Sequence, residues 1–124
     1  MSKTILIVDD SATMVLSVKS TLEMNGFNVE SANDGVQALA KLTGGLKPDL
    51  IITDINMPNM DGLELIKQVK ALPAFRFTPI LTLTTESQAA KRDEGKKLGA
   101  TGWLVKPVSG GDLVQVLKKV LPGA

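Results

Sequence analysis

The chain has 124 residues, 44% of them hydrophobic, with a formal net charge of +1. That length fits one ordinary domain, and the apolar content suffices for a folded core rather than a disordered tail. Near-neutral charge gives no ground for nucleic-acid binding. Cysteine and histidine are both absent, which excludes disulfides, zinc–thiolate sites, cysteine nucleophiles, Ser-His-Asp triads and histidine bases. Any metal must then be held by oxygen atoms, which favours a hard cation such as Mg2+.

The first apolar run is Ile5 to Val8. It is far too short for a signal peptide or a membrane span, so a cytoplasmic protein with no membrane insertion is expected. The run reads instead as a strand. Ser11 then stands as an N-cap before Met14, Val15, Val18 and Leu22 at helical spacing, and Gly26 reads as the stop. Phe27 to Ser31 alternates apolar and polar residues, the pattern of a half-exposed strand at a sheet edge. A second helix is predicted from about Asp34 to Leu42, closed by Gly44-Gly45.

Leu50 to Thr53 is continuously apolar until its last residue and reads as a strand buried on both faces. A polar loop from Asp54 to Asp61, containing Pro58, leads to a helix over Gly62–Leu72 with Leu65, Ile66, Val69 and Leu72 on one stripe. Pro79–Leu83 is a fourth strand, Gln88–Leu98 a mostly polar helix, and Trp103–Val105 a short last strand. Asp112 is expected to cap a final helix whose inner face carries Leu113, Val116, Leu117 and Val120. Five strand–helix units in succession define an α/β fold with a parallel sheet and helices on both faces, within one domain over 1–124.

In an open parallel sheet, ligands bind outside the carboxyl ends of the strands. Asp9 and Asp10 follow the first apolar run, Asp54 the third, Thr84 and Thr85 the fourth, and Lys106 the fifth. Carboxylates that converge repel one another unless a cation sits among them. A carboxylate beside a divalent cation and a fixed ammonium is equipped for phosphoryl transfer, with the aspartate attacking in line. Each residue alone also has a plain reading as a turn former or helix cap. Agreement at four strand ends favours the chemical one.

With those residues in place, the chain resembles the receiver domain of bacterial two-component response regulators, of the stand-alone CheY type. The resemblance rests on Asp9-Asp10 in ILIVDDS, Asp54 in LIITDINMPNMDG, Thr84 in ILTLTTE, and Lys106-Pro107 in WLVKP. It covers nearly the whole chain. It implies a doubly wound, flavodoxin-like five-stranded parallel sheet of order 2-1-3-4-5, an order for which that family is a standard example. It further implies that Asp54 accepts a phosphoryl group from a CheA-like histidine kinase. Mg2+, with Mn2+ as an alternative, is then ligated by Asp10, Asp54 and the Asn56 backbone carbonyl, and by Asp9 through water. Lys106 contacts the phosphoryl group, Thr84 closes onto it, and the Lys106–Pro107 peptide is cis. Asn56 and Glu86 match positions that tune hydrolysis. The implied partners are a flagellar motor switch component and a dedicated phosphatase, with the protein acting as a monomer, without an output domain and without nucleic acid.

The sequence departs from the family pattern at two positions. Trp103 stands where a tyrosine or phenylalanine is usual, and its larger indole either switches through its own rotamer or stays packed against the fourth helix. Thr85 stands where a smaller residue is common. Lys91, Arg92, Lys96 and Lys97 make the fourth helix basic, either as a docking face for an acidic partner or as a solvated face. Other functions stay open beside chemotaxis: a phosphate sink or non-motility regulator, a receiver that binds without phosphorylation, and a haloacid-dehalogenase-type phosphatase. The last needs an acid two residues after its nucleophile, where this chain has Asn56.

Overall fold

The computed structural model describes residues 3–85 and 88–121. Five strands, β1 (Thr4–Val8), β2 (Asn28–Ala32), β3 (Leu50–Thr53), β4 (Ile80–Thr84) and β5 (Gly102–Val105), alternate with five helices. The helices are α1 (Ala12–Met24), α2 (Gly35–Thr43), α3 (Gly62–Ala71), α4 (Ala89–Leu98) and α5 (Gly110–Val120). All strand pairs are parallel, in the order β2-β1-β3-β4-β5. The expected α/β class and strand order are both observed.

Side-chain alternation along the central strands divides the core in two. Ile5, Ile7, Leu50 and Ile52 face α1 and α5, where Val18, Leu22, Leu113 and Leu117 close the layer. Leu6, Val8 and Ile51 face the other way, onto Ala38, Leu42, Leu65, Ile66 and Val69 of α2 and α3. This is why β1 and β3 read as unbroken apolar runs: both of their faces are covered. At the edge, β2 exposes Asn28 and Glu30 and buries Val29 between them, as its alternation predicts; Ala32, at the strand's end, is buried on the opposite face.

Local chemistry sets most boundaries. The side chains of Ser11, Asp34 and Asp61 accept the N–H groups of Met14, Gln37 and Glu64 and cap α1, α2 and α3. At α5 the structure corrects the sequence reading. The N-cap is Ser109, whose Oγ accepts the Asp112 N–H at 3.1 Å, and Asp112 lies inside the first turn. With the serine cap and the favourable Asp112 charge near the N-terminus, the first turn forms despite Gly110 and Gly111. A second addition is a single 3-10 turn, Pro73–Phe75, after α3. It buries Phe75 against the α2–α3 layer, and Lys70 Nζ donates to the carbonyls of Arg76 and Thr78 to close the connection.

The division into fully buried strands and exposed helix faces carries a stability contrast. Ile51→Ala, at a site with no solvent exposure, is expected to cost about 3–4 kcal/mol in denaturant unfolding. Leu16→Ala, on a side chain 69% exposed, is expected to change stability by less than about 0.5 kcal/mol.

Candidate functional site

The carboxyl ends of the parallel strands share one rim, with β1 and β3 as neighbours at its centre; Lys106, beyond the end of the outer strand β5, reaches across to them. Asp9 and Asp54 each continue their strand's hydrogen-bond ladder, Asp9 N–H to Ala32 O at 3.1 Å and Asp54 N–H to Val8 O at 2.9 Å. That ladder carries both side chains inward: Asp9 is 3% and Asp54 8% exposed. Asp10, by alternation, faces solvent. Carboxylate oxygens of Asp9, Asp10 and Asp54 nonetheless lie within 4.8 Å of one another.

One cation of the protein sits among them. Lys106 Nζ is 2.9 Å from Asp9 Oδ2 and 3.3 Å from Asp54 Oδ2. Its backbone N–H is tied to Thr84 O at 2.8 Å, and the Lys106–Pro107 peptide is cis. Burial alone lowers the Lys106 pKa, but the Asp9 hydrogen bond and the charges of Asp54 and Asp9 outweigh it, and the pKa lies above the usual lysine value. The remaining carboxylate oxygens have backbone donors: Asp9 Oδ1 accepts the Ser11 N–H at 2.9 Å, and Asp54 Oδ1 accepts the Ile55 N–H at 2.6 Å. The arrangement fits a small divalent cation by donor chemistry, since all its donors are oxygens and three are anionic.

The Asp54 loop folds back tightly onto its own strand end. Gly62 N–H donates to Ile55 O at 2.8 Å, and a Cβ on Gly62 would stand 2.1 Å from the Asp54 carbonyl oxygen. Only glycine permits that approach. Asn56 is exposed within this loop. Thr84 is fully buried at the end of β4, and Thr85 beside it is exposed. Glu86 lies outside the described residues. Trp103, on β5, is half-buried. Its indole lies over α4, where a Cβ on Gly95 would come within 2.9 Å of Cζ3. A groove of about 390 Å³ beside it is lined by Arg92, Lys96, Ala100, Thr101, Gly102 and Trp103.

One pairing was not read from the sequence: Asn59, in the Asp54 loop, hydrogen-bonds Asp34 at the head of α2. The signal was faint, an asparagine after Pro58 in a turn that needs a left-handed residue.

The response regulator receiver domain family model matches residues 5–118, and the chain belongs to that family. It is 41% identical over 118 residues to chemotaxis protein CheY1 of Helicobacter pylori, covering 94% of this chain and 92% of that protein. It is 38% identical over 117 residues to chemotaxis protein CheY-3 of Vibrio cholerae, covering 94% and 89%. Among solved structures, Vibrio cholerae CheY4 superposes with a TM-score of 0.92 at 46% identity, covering 98% of this chain and 100% of that one. The family is one of signalling receivers and not of turnover enzymes. Among the described residues, no helix is long and apolar enough to cross a membrane.

The raised Lys106 pKa fixes the sign of a pH effect in metal-free protein. A base whose pKa is higher folded than unfolded stabilises the fold fully below the unfolded value, and the contribution fades as pH climbs through the folded one. The stability difference between wild type and Lys106→Met is therefore expected to be constant from about pH 6 to 9 and to shrink above about pH 10.4, measured by urea unfolding at each pH.

Proposed function

We propose that the protein is a phosphorylation-activated, CheY-like response regulator whose Asp54 accepts a phosphoryl group from a histidine kinase. The observation that carries this reading is the Lys106 ammonium held between Asp9 and Asp54, beside a third carboxylate on the same rim. Three anionic side chains at one strand-end rim supply a nucleophile and a cation site together. The ammonium supplies the fixed positive charge that phosphoryl transfer needs.

In the transfer, an Asp54 carboxylate oxygen attacks phosphorus in line. The O–P bond forms as the N–P bond to the donor histidine breaks, and the imidazole leaves with the bonding pair. Lys106 neutralises charge on the equatorial phosphoryl oxygens, and the Thr84 hydroxyl donates to one of them. Asp10, Asp54 and the Asn56 carbonyl, with Asp9 through water, would hold a Mg2+ ion, which would supply further neutralisation of the phosphoryl charge. Asn56 in place of a general acid, with Glu86, governs the later attack of water, so Asp54 holds its phosphoryl group as a mark.

The output is a change in surface. Thr84 and Trp103 lie on adjacent strands, and the groove beside Trp103 is walled by Arg92 and Lys96. A cytoplasmic partner with an acidic segment suits that wall. The names of the CheY relatives point to chemotaxis; in that reading a CheA-like kinase acts upstream and a flagellar motor switch component is the downstream target.

Incubation with acetyl phosphate and Mg2+ is expected to give one phosphoryl adduct by intact mass, absent in Asp54→Asn; no adduct under any condition overturns the reading. Lys106→Met is expected to slow adduct formation by about 100-fold. Its Mg2+ affinity should not fall, because the ammonium no longer competes for the carboxylates.

A further inference from the structure

The loop from Asp54 to Gly62 is fastened at its root by the Gly62–Ile55 hydrogen bond. Its middle reaches a different element. Asn59 Nδ2 donates to Asp34 Oδ2 at 2.8 Å, and the Met60 side chain lies against Gly35, where a Cβ would come within 2.8 Å of Cγ. The anchor is itself rigid. Asp34 is 8% exposed, its Oδ1 accepts the Gln37 N–H at 2.9 Å, and Gln37 Oε1 accepts the Asn33 N–H at 2.9 Å. The backbone hydrogen bond from Gln37, and then the Asn59 amide, hold the Asp34 pKa below the usual carboxylate value. Asn59 thus meets a charged acceptor, the stronger kind of hydrogen bond.

Asn59 has φ +67°, in the left-handed region. If the turn required only that backbone angle, glycine would satisfy it without steric cost. Asparagine tolerates the angle and adds an amide, and that amide lands on the head of α2. The residues it steadies include Asn56, whose carbonyl faces the site in the reading above.

We propose that the Asn59–Asp34 hydrogen bond is a strap across the phosphoacceptor loop, and that both residues position the loop backbone so as to set the affinity of the carboxylate cluster for Mg2+. The strap rests on the reading of that cluster as a cation site. Neither residue is a ligand; both act through the backbone of residues 54–62.

The test is calorimetric titration of unphosphorylated protein with Mg2+ alone. Asn59→Gly keeps the backbone angle and loses the amide. Asp34→Ser keeps a helix cap and loses the acceptor. Each is expected to weaken Mg2+ binding about ten-fold, the usual effect of removing a group that orients metal ligands. The double variant is expected to be no weaker than either single, since both remove one interaction. Gln37→Ala loosens the α2 cap but spares the strap; it should lower the melting temperature and leave Mg2+ affinity unchanged. Wild-type affinity in Asn59→Gly, or additive losses in the double variant, overturns the strap. Should Asp34→Ser fail to fold, Asn59→Gly decides alone. A wild-type chain that binds no Mg2+, indistinguishable from Asp54→Asn, overturns the cation-site reading and the strap with it.

Discussion

Two nearly buried carboxylates with one ammonium between them are the constraint around which this molecule is arranged. Asp9 and Asp54 are drawn inward because their backbones extend the parallel ladder past the ends of β1 and β3. Left alone, the pair would repel at short range in a poorly hydrated setting. Lys106 offsets that cost from the end of β5, and the two carboxylates in turn hold its pKa above the usual lysine value despite its burial. Each partner needs the other in place, so the site ties together strands from both ends of the chain.

The platform under the site is stiff for a plain reason. Both central strands are covered by helices on each face, so a displacement of either must disturb two packed layers at once. The far rim differs. α4 buries only Gly95 among its own residues, and it lacks a side-chain N-cap hydrogen bond. Its glycine makes room for the Trp103 indole. The element with least apolar anchoring therefore borders the basic groove, while the chemistry sits over the most rigid part of the sheet. Loops positioned by a firm scaffold are the usual place for such work.

Much of this was legible in the residues. Strands β1, β3 and β4 announce themselves as apolar runs because they are buried on both faces, and β2 as an alternation because one of its faces is not. The acidic and basic residues after those runs mark the rim in the sequence itself. The misses have physical causes. Asp112 stood as the cap of the final helix, but the Ser109 side chain accepts the Asp112 N–H and sets the start of α5 three residues earlier. The Pro73–Phe75 turn is too short for any periodicity. Trp103 is no miss: it rests half-buried over Gly95, against the fourth helix, in keeping with one of its two readings.

The sequence by itself determined the kind of elements, their alternation, and the donor types available to a site, since a chain without histidine or cysteine can offer a metal only oxygen. Periodicity and composition are local properties, and the chain carries them wherever it folds. What only the tertiary structure decided is who meets whom. Lys106 and Asp9 are 97 residues apart, and Asn59 and Asp34 are 25 apart. No local pattern encodes either contact. Both follow from the parallel sheet's strand order and from the seating of α2 beside the Asp54 loop, which together turn residues distant in the chain into neighbours a hydrogen bond apart.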